Sequence, residues 1–318
     1  MLIRPRRHTA AVLAGAVALL TTLTATPAEA GSHPTPVHPS LREHLAAYYD
    51  FEHPVRGAPA KERDLGFSRT DIELVNGGAR MRTPDGAHRG SRASLQVGQV
   101  NPRTAGNDDW KAGVHGPSGV PTLGAFNAVE GVTVMGWFKA TGPNPAPNSN
   151  TAAPDDRYGA VGLAGVLSGD SDGHAVRALL EIIDVNGELR LVALGRRVDG
   201  AGSQTFAASR DWRTLLPDGE WVFLAATFDF GTGAMALYRN GQRLDGFYTV
   251  PGDPWDLSGP GPHRSSRTDP RGIKIGGSFP QNTAERNPCS CRMDSLMFLN
   301  RAVDGEHIRA QYRLVTSL

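Results

Sequence analysis

Short apolar runs alternate with polar residues along most of the chain, and Gly, Pro, Asn and Asp break the runs. This is the pattern of β-strands joined by tight turns. Residues 132–139 (VTVMGWFK) show it well. Val132, Val134, Gly136 and Phe138 fall on one face, and Thr133, Met135, Trp137 and Lys139 on the other. Over 221–230, Val222, Leu224, Ala226 and Phe228 make one apolar face; Trp221, Phe223, Ala225, Thr227 and Asp229 make a second that turns polar at its end. Further strands are predicted over 45–51, 71–75, 178–184, 188–194, 234–239, 242–250, 273–275 and 293–299. Asn186-Gly187 and Asn240-Gly241 read as hairpin turns, since a type I′ turn needs positive φ. Helical signals are confined to the end, where Asp304 caps a short helix through Ala310 and Tyr312. Strand–helix–strand spacing is lacking, which argues against a parallel sheet. The expectation is an all-β, two-sheet antiparallel sandwich with a short C-terminal helix, one domain over residues 41–318. Two long segments, 141–158 and 251–271, are rich in Pro with Asn, Ala, Gly or Ser. Loops of that length are often functional in compact domains.

The first thirty residues follow a different pattern. Arg4, Arg6 and Arg7 precede an uncharged apolar run over 10–23, and Ala28-Glu29-Ala30 supplies a small-residue exit before Gly31. Residues 1–30 read as a secretory signal peptide, because the run is shorter than the roughly 20 residues a spanning helix needs. Residues 31–40 (GSHPTPVHPS) are a Pro-rich spacer. The mature protein is expected to be extracellular, with no membrane span.

Charge narrows the classes of partner. The 318 residues carry Lys+Arg 33 against Asp+Glu 32, a formal net charge of +1. Loss of Arg4, Arg6, Arg7 and Glu29 with the signal would take that value to −1. A nucleic-acid binder needs a basic face to displace counterions, so nucleic acid is not an expected partner. A slightly acidic surface also leaves shape and stacking as the basis for recognising any glycan.

Several segments in order carry a family resemblance: LAAYYDFE from Leu45, IELVNGGAR from Ile72, GVTVMGWFKATG from Gly131, EWVFLAATFDFGTGAMALYRNGQRLDG from Glu220, IKIGGS from Ile273 and CRMDSLMFLNRAVDGEHIRAQY from Cys291. The chain resembles the laminin G-like (LamG) jelly roll of the concanavalin A-like lectin/glucanase superfamily. The resemblance implies two antiparallel sheets, one concave, with binding sites on the concave face or rim loops. Members include glycan-binding, protein-binding and adhesive modules, and relatives are hydrolases, so the site must decide the function.

The hydrolases of this superfamily pair acids on one strand. Here Glu181 and Asp184 are three residues apart, which points them to opposite faces of a regular strand, and Glu188 lies beyond the Asn186-Gly187 turn. A retaining mechanism needs its two carboxyls about 5 Å apart, so the spacing opposes catalysis. Asp170-Ser171-Asp172-Gly173 is the calcium candidate: Asp170 and Asp172 would supply carboxylates, although the segment also reads as a polar turn. Asp294 falls on a regular strand face with Leu296 and Phe298, and reads as a structural carboxylate accepting backbone amides. Cys289 and Cys291 are open to a local disulfide, to free thiols or to an intermolecular bridge.

Aromatics are the binding candidates, since sugars stack their apolar faces on exposed rings while polar side chains fix the hydroxyls. Trp110, Trp212 and Trp255 lie in turn-rich segments, and Tyr248 precedes the loop that holds Trp255. Trp137 and Trp221 read as core. Asp229 ends a face that would line the concave groove. The ligand-binding set is therefore Trp255, Tyr248, Trp110 and Asp229. The expected function is a secreted noncatalytic binding module for glycan or a cell-surface protein, with no required cofactor beyond a possible Ca2+. A polysaccharide hydrolase and a protein-adhesion module are the alternatives, and the sequence gives no oligomeric state.

Overall fold

The computed structural model describes residues 36–101, 108–147, 159–167, 177–196, 203–250, 269–277 and 287–317. In chain order its strands are β1 (Leu45–Tyr49), β2 (Pro54–Val55), β3 (Ala58–Glu62), β4 (Ile72–Val75), β5 (Arg82–Thr83), β6 (Ser94–Val97), β7 (Lys111–His115), β8 (Gly131–Ala140), β9 (Ala160–Leu167), β10 (Ala178–Val185), β11 (Glu188–Arg196), β12 (Ser203–Ala208), β13 (Val222–Asp229), β14 (Met235–Arg239), β15 (Gln242–Arg243), β16 (Gly246–Tyr248), β17 (Gly272–Ile275) and β18 (Cys291–Leu299). A one-turn helix α1 (Trp212–Leu215) and a longer α2 (Gly305–Thr316) complete the regular elements, with three 3-10 turns.

Two antiparallel sheets form a sandwich. The eight-stranded sheet runs β15-β14-β13-β8-β18-β6-β5, with β1 also paired to β18; the ten-stranded sheet runs β16-β12-β11-β10-β9-β17-β7-β4-β3-β2. Residues of alternating parity meet between them. Val132, Val134 and Phe138 of β8, with Leu224, Ala226 and Phe228 of β13, pack against Leu180 and Ile182 of β10 and Ile273 and Ile275 of β17. Each of the Val, Leu, Ile and Phe side chains among them contributes about 1.5–3 kcal/mol when fully buried.

Both Asn-Gly hairpins form. Asn186 and Gly187 lie at φ 57° and 86°, and Asn240 and Gly241 at 50° and 75°, as a two-residue turn requires. The strand predicted over 242–250 is split. Its β15 half stays in the eight-stranded sheet with β14, while β16 crosses to pair with β12 in the other sheet.

The outward face of the eight-stranded sheet is also apolar, because α2 lies over it. Ile308, Gln311, Tyr312 and Val315 recur at the helical spacing. Ile308 and Val315 pack with Met135, Trp137, Phe223, Ala225, Met297 and Leu299. The Tyr312 ring lies 5.8 Å from Trp137 and 6.0 Å from Phe223. The face of β13 expected to line a groove is therefore covered by the helix. Asp304 caps α2 as the sequence predicts, its Oδ1 accepting from the amides of Glu306 and His307 at 3.0 Å each.

Asp294 departs from its regular strand reading. The register of β18 against β8 shifts between Asp294 and Met297, and Ser295 takes a left-handed φ of 50°. The bulge turns Asp294 outward while Leu296 and Phe298 stay in the core. It also divides one edge of β18: Cys291–Met293 pair with β6, and Leu296–Leu299 with β1.

Candidate functional site

One row beyond the residues beneath α2, the outward face of the eight-stranded sheet changes from apolar to polar. Arg292 of β18 stands opposite Lys139 of β8 on one side and Gln96 of β6 on the other. Trp221 immediately precedes Val222, which pairs with Phe138, and so extends the row on the far side of Lys139. Four neighbouring strands thus present Trp221, Lys139, Arg292 and Gln96 side by side, over about 14 Å at the usual strand spacing.

Asp85, on the loop after β5, reaches over this row. Lys139 Nζ donates to Asp85 Oδ2 at 3.0 Å, and Arg292 Nη1 donates to the same oxygen. Trp221 Nε1 lies 3.5 Å from Oδ1. Lys139 Nζ also stands 5.6 Å from the centre of the Trp221 ring. Arg292 Nε donates to Gln96 Oε1 at 2.9 Å, and Gln96 Nε2 in turn reaches Thr141 Oγ1 at 3.0 Å. Burial works to raise the Asp85 pKa, but the bonds from Arg292 and Lys139 outweigh it and hold the carboxyl below its ordinary value. The site is open to solvent: the side chains of Lys139, Asp85 and Arg292 are 19%, 28% and 29% exposed.

The same loop is fastened by Asp294. Its Oδ2 accepts from Ala87 N at 2.9 Å and Ser91 Oγ at 2.6 Å, and its Oδ1 from Ser295 Oγ at 3.0 Å. Burial pushes its pKa up to about 7 despite these bonds. The structural role read from the sequence fits this geometry, with two side-chain hydroxyls supplementing the backbone amide.

The aromatic residues expected to bind ligand have other surroundings. Trp110 bridges to Gly98 and packs partly against the core, with the Arg80 guanidinium 5.8 Å from its ring. Tyr248 packs edge-on to Phe206 at 5.2 Å, and its hydroxyl accepts from Met235 N at 2.9 Å. Asp229 Oδ1 accepts from the amides of Gly231 and Thr232 at 2.9 and 3.1 Å, holding a turn. It also lines a cleft of about 640 Å³ with His44, Glu130, Asn300 and Arg301. Trp255, Asp170 and Asp172 lie outside the described residues, as does the signal segment. Among the described residues, no group of three or more His, Cys, Asp or Glu is placed to hold a metal ion. Cys289 and Cys291 are joined to each other, with Cα atoms 5.3 Å apart.

The three acids weighed for hydrolysis do not converge. Glu181 is buried on the face of β10 turned from the core, where Asn287 Nδ2 donates to it and Lys274 Nζ lies 3.8 Å away. Asp184 Oδ1 closes the hairpin by accepting Gly187 N at 2.9 Å. Glu188 pairs with Arg190. The middle of that sheet face is closed to solvent, with Leu179, Glu181, Val192 and Lys274 all less than 5% exposed.

None of Asp85, Lys139, Arg292 and Gln96 was among the sequence candidates, and Trp221, read there as core, is only partly buried. The available signal was parity: Trp221 and Lys139 end outward faces whose middles, Met135 with Trp137 and Phe223 with Ala225, are apolar. Aligning them with Arg292 needs the pairing of β18, which the sequence does not supply.

No protein-family model matches the chain, and no curated protein matches it by sequence. Solved structures do match in fold. The binding domain of botulinum neurotoxin DC in complex with rat synaptotagmin II superposes with a TM-score of 0.54 at 12% identity, covering 87% of this chain and 52% of that one. A botulinum neurotoxin type C structure, from a protein whose cell entry depends on two ganglioside molecules, gives 0.52 at 13% identity, with 87% and 52% covered. The DC binding domain in complex with SialylT gives 0.52 at 12% identity, with 86% and 52% covered. The chain spans about half the length of these proteins, and the likeness is one of fold.

Proposed function

We propose that the protein is a secreted, noncatalytic β-sandwich module that binds glycan on extracellular or cell-surface material. In this reading residues 1–30 are the export signal, 31–40 a spacer, and 41–318 a LamG-like module of the concanavalin A-like superfamily. The observation that carries the reading is the row of Trp221, Lys139, Arg292 and Gln96. It joins an aromatic ring to hydrogen-bonding groups, partly exposed at the end of a covered apolar face. Sugar recognition uses that combination, an apolar surface with a few fixed polar groups. The similar solved structures support the reading insofar as they are binding domains. The three acids favour no hydrolase, because each is engaged separately. Calcium at Asp170 and Asp172 is retained as part of the proposal.

A glycan array probed with the exported protein, expected to begin at Gly31, tests the reading. Binding to a defined saccharide is expected, and Trp221→Leu should weaken it about tenfold or more while the circular dichroism spectrum is retained. Parallel arrays with calcium and with chelator address Asp170 and Asp172. Binding to proteins but to no saccharide would favour adhesion, and release of reducing ends from a polysaccharide would favour hydrolysis.

A further inference from the structure

Every charged donor of the row converges on a single carboxylate. Lys139 and Arg292 share Asp85 Oδ2, and Trp221 Nε1 faces the other oxygen. Two cations against one carboxylate leave the cluster with a net charge of about +1 at neutral pH. The donors are also not exhausted. Among the described residues, Arg292 Nη2 has no protein partner, and a Lys ammonium has three protons where Lys139 uses one on Asp85. Asp85 comes from a loop rather than from the sheet, whereas its partners are fixed in register on β8 and β18. The loop carboxylate thus occupies a position that the sheet has built to receive an anion.

We propose that this row is a subsite for the carboxylate of an acidic saccharide, with Asp85 as its resident internal competitor. The inference rests on the glycan reading above and names the class of sugar. A uronate carboxylate would meet Lys139 and Arg292 through charge-assisted hydrogen bonds, the stronger kind. Gln96 and the Trp221 edge would meet the neighbouring hydroxyls and ring carbons. The overall charge of the mature chain does not oppose this, because screening confines exposed charges to about 10 Å or less. The local surplus governs the site.

The test is isothermal titration of the exported protein with an oligogalacturonate and with its methyl ester, the same sugar without the charge. The acid should bind about tenfold more tightly than the ester, and more weakly as salt is raised. Lys139→Gln and Arg292→Gln should each remove that preference. Asp85→Asn should do the opposite and strengthen binding of the acid several-fold, a gain that misfolding cannot imitate. Equal binding of acid and ester, or an Asp85→Asn variant no tighter than the parent, overturns the inference and leaves the glycan reading standing. Failure of any saccharide to bind overturns both.

Discussion

Asp294 shows how much one side chain organises. It is buried, accepts three hydrogen bonds and ties the loop that carries Asp85 to the sheet. Its pKa of about 7 lies above the ordinary 3.8 because burial penalises the charged form. The fold therefore favours the protonated carboxyl. The group's contribution to stability is full below about pH 4 and is lost as pH rises through about 7. From pH 5 to pH 8 that loss is roughly 3 kcal/mol. Urea unfolding of the parent and of Asp294→Asn at the two pH values checks this. The variant should gain on the parent by about that amount as pH rises, since the other titrating groups cancel in the difference. A difference independent of pH contradicts the assignment. The bulge that turns Asp294 outward was not legible in the sequence. It places Ser295 at φ 50°, a position where Gly would have been the signal, and no Gly stands there.

At the scale of elements, local chemistry was legible and sheet membership was not. The Asn-Gly pairs turn where they were expected to, and Asp304 starts α2. β9 was missed although it is apolar, because its Ala and Gly residues resemble a turn-rich segment. Gly162 is small for a packing reason: a Cβ there would lie 2.8 Å from Asn287 O. The crossing of β16 to the second sheet depends on a partner, β12, that is distant in sequence and carries no local mark. α2 also decided a functional question, since it covers the β13 face that would otherwise have been a groove. Its cap is accordingly testable. Asp304→Ala removes the acceptor for two free amides and should lower stability by about 1 kcal/mol, read as a shift in the urea midpoint at constant slope. An unchanged midpoint would mean that packing alone holds the helix.

For the whole molecule, the sandwich architecture could be read from alternation and turns, and the solved binding domains match that architecture at 12–13% identity. The site could be read only in part. Alternation placed Trp221 and Lys139 on strand faces without marking either as a site residue, and Asp85 joins them through a loop contact that no periodicity encodes. Net charge could not mark the row, because a global value near zero describes the whole chain, whereas the row sets two cations against one carboxylate. The central claim is that the row is where glycan sits. A crystal structure of the protein soaked with its best-binding saccharide tests it most directly. The account predicts sugar oxygens within hydrogen-bonding distance of Lys139, Arg292 and Gln96, with a ring against Trp221. A sugar seated instead on the ten-stranded sheet, or in the cleft beside Asp229, would contradict it.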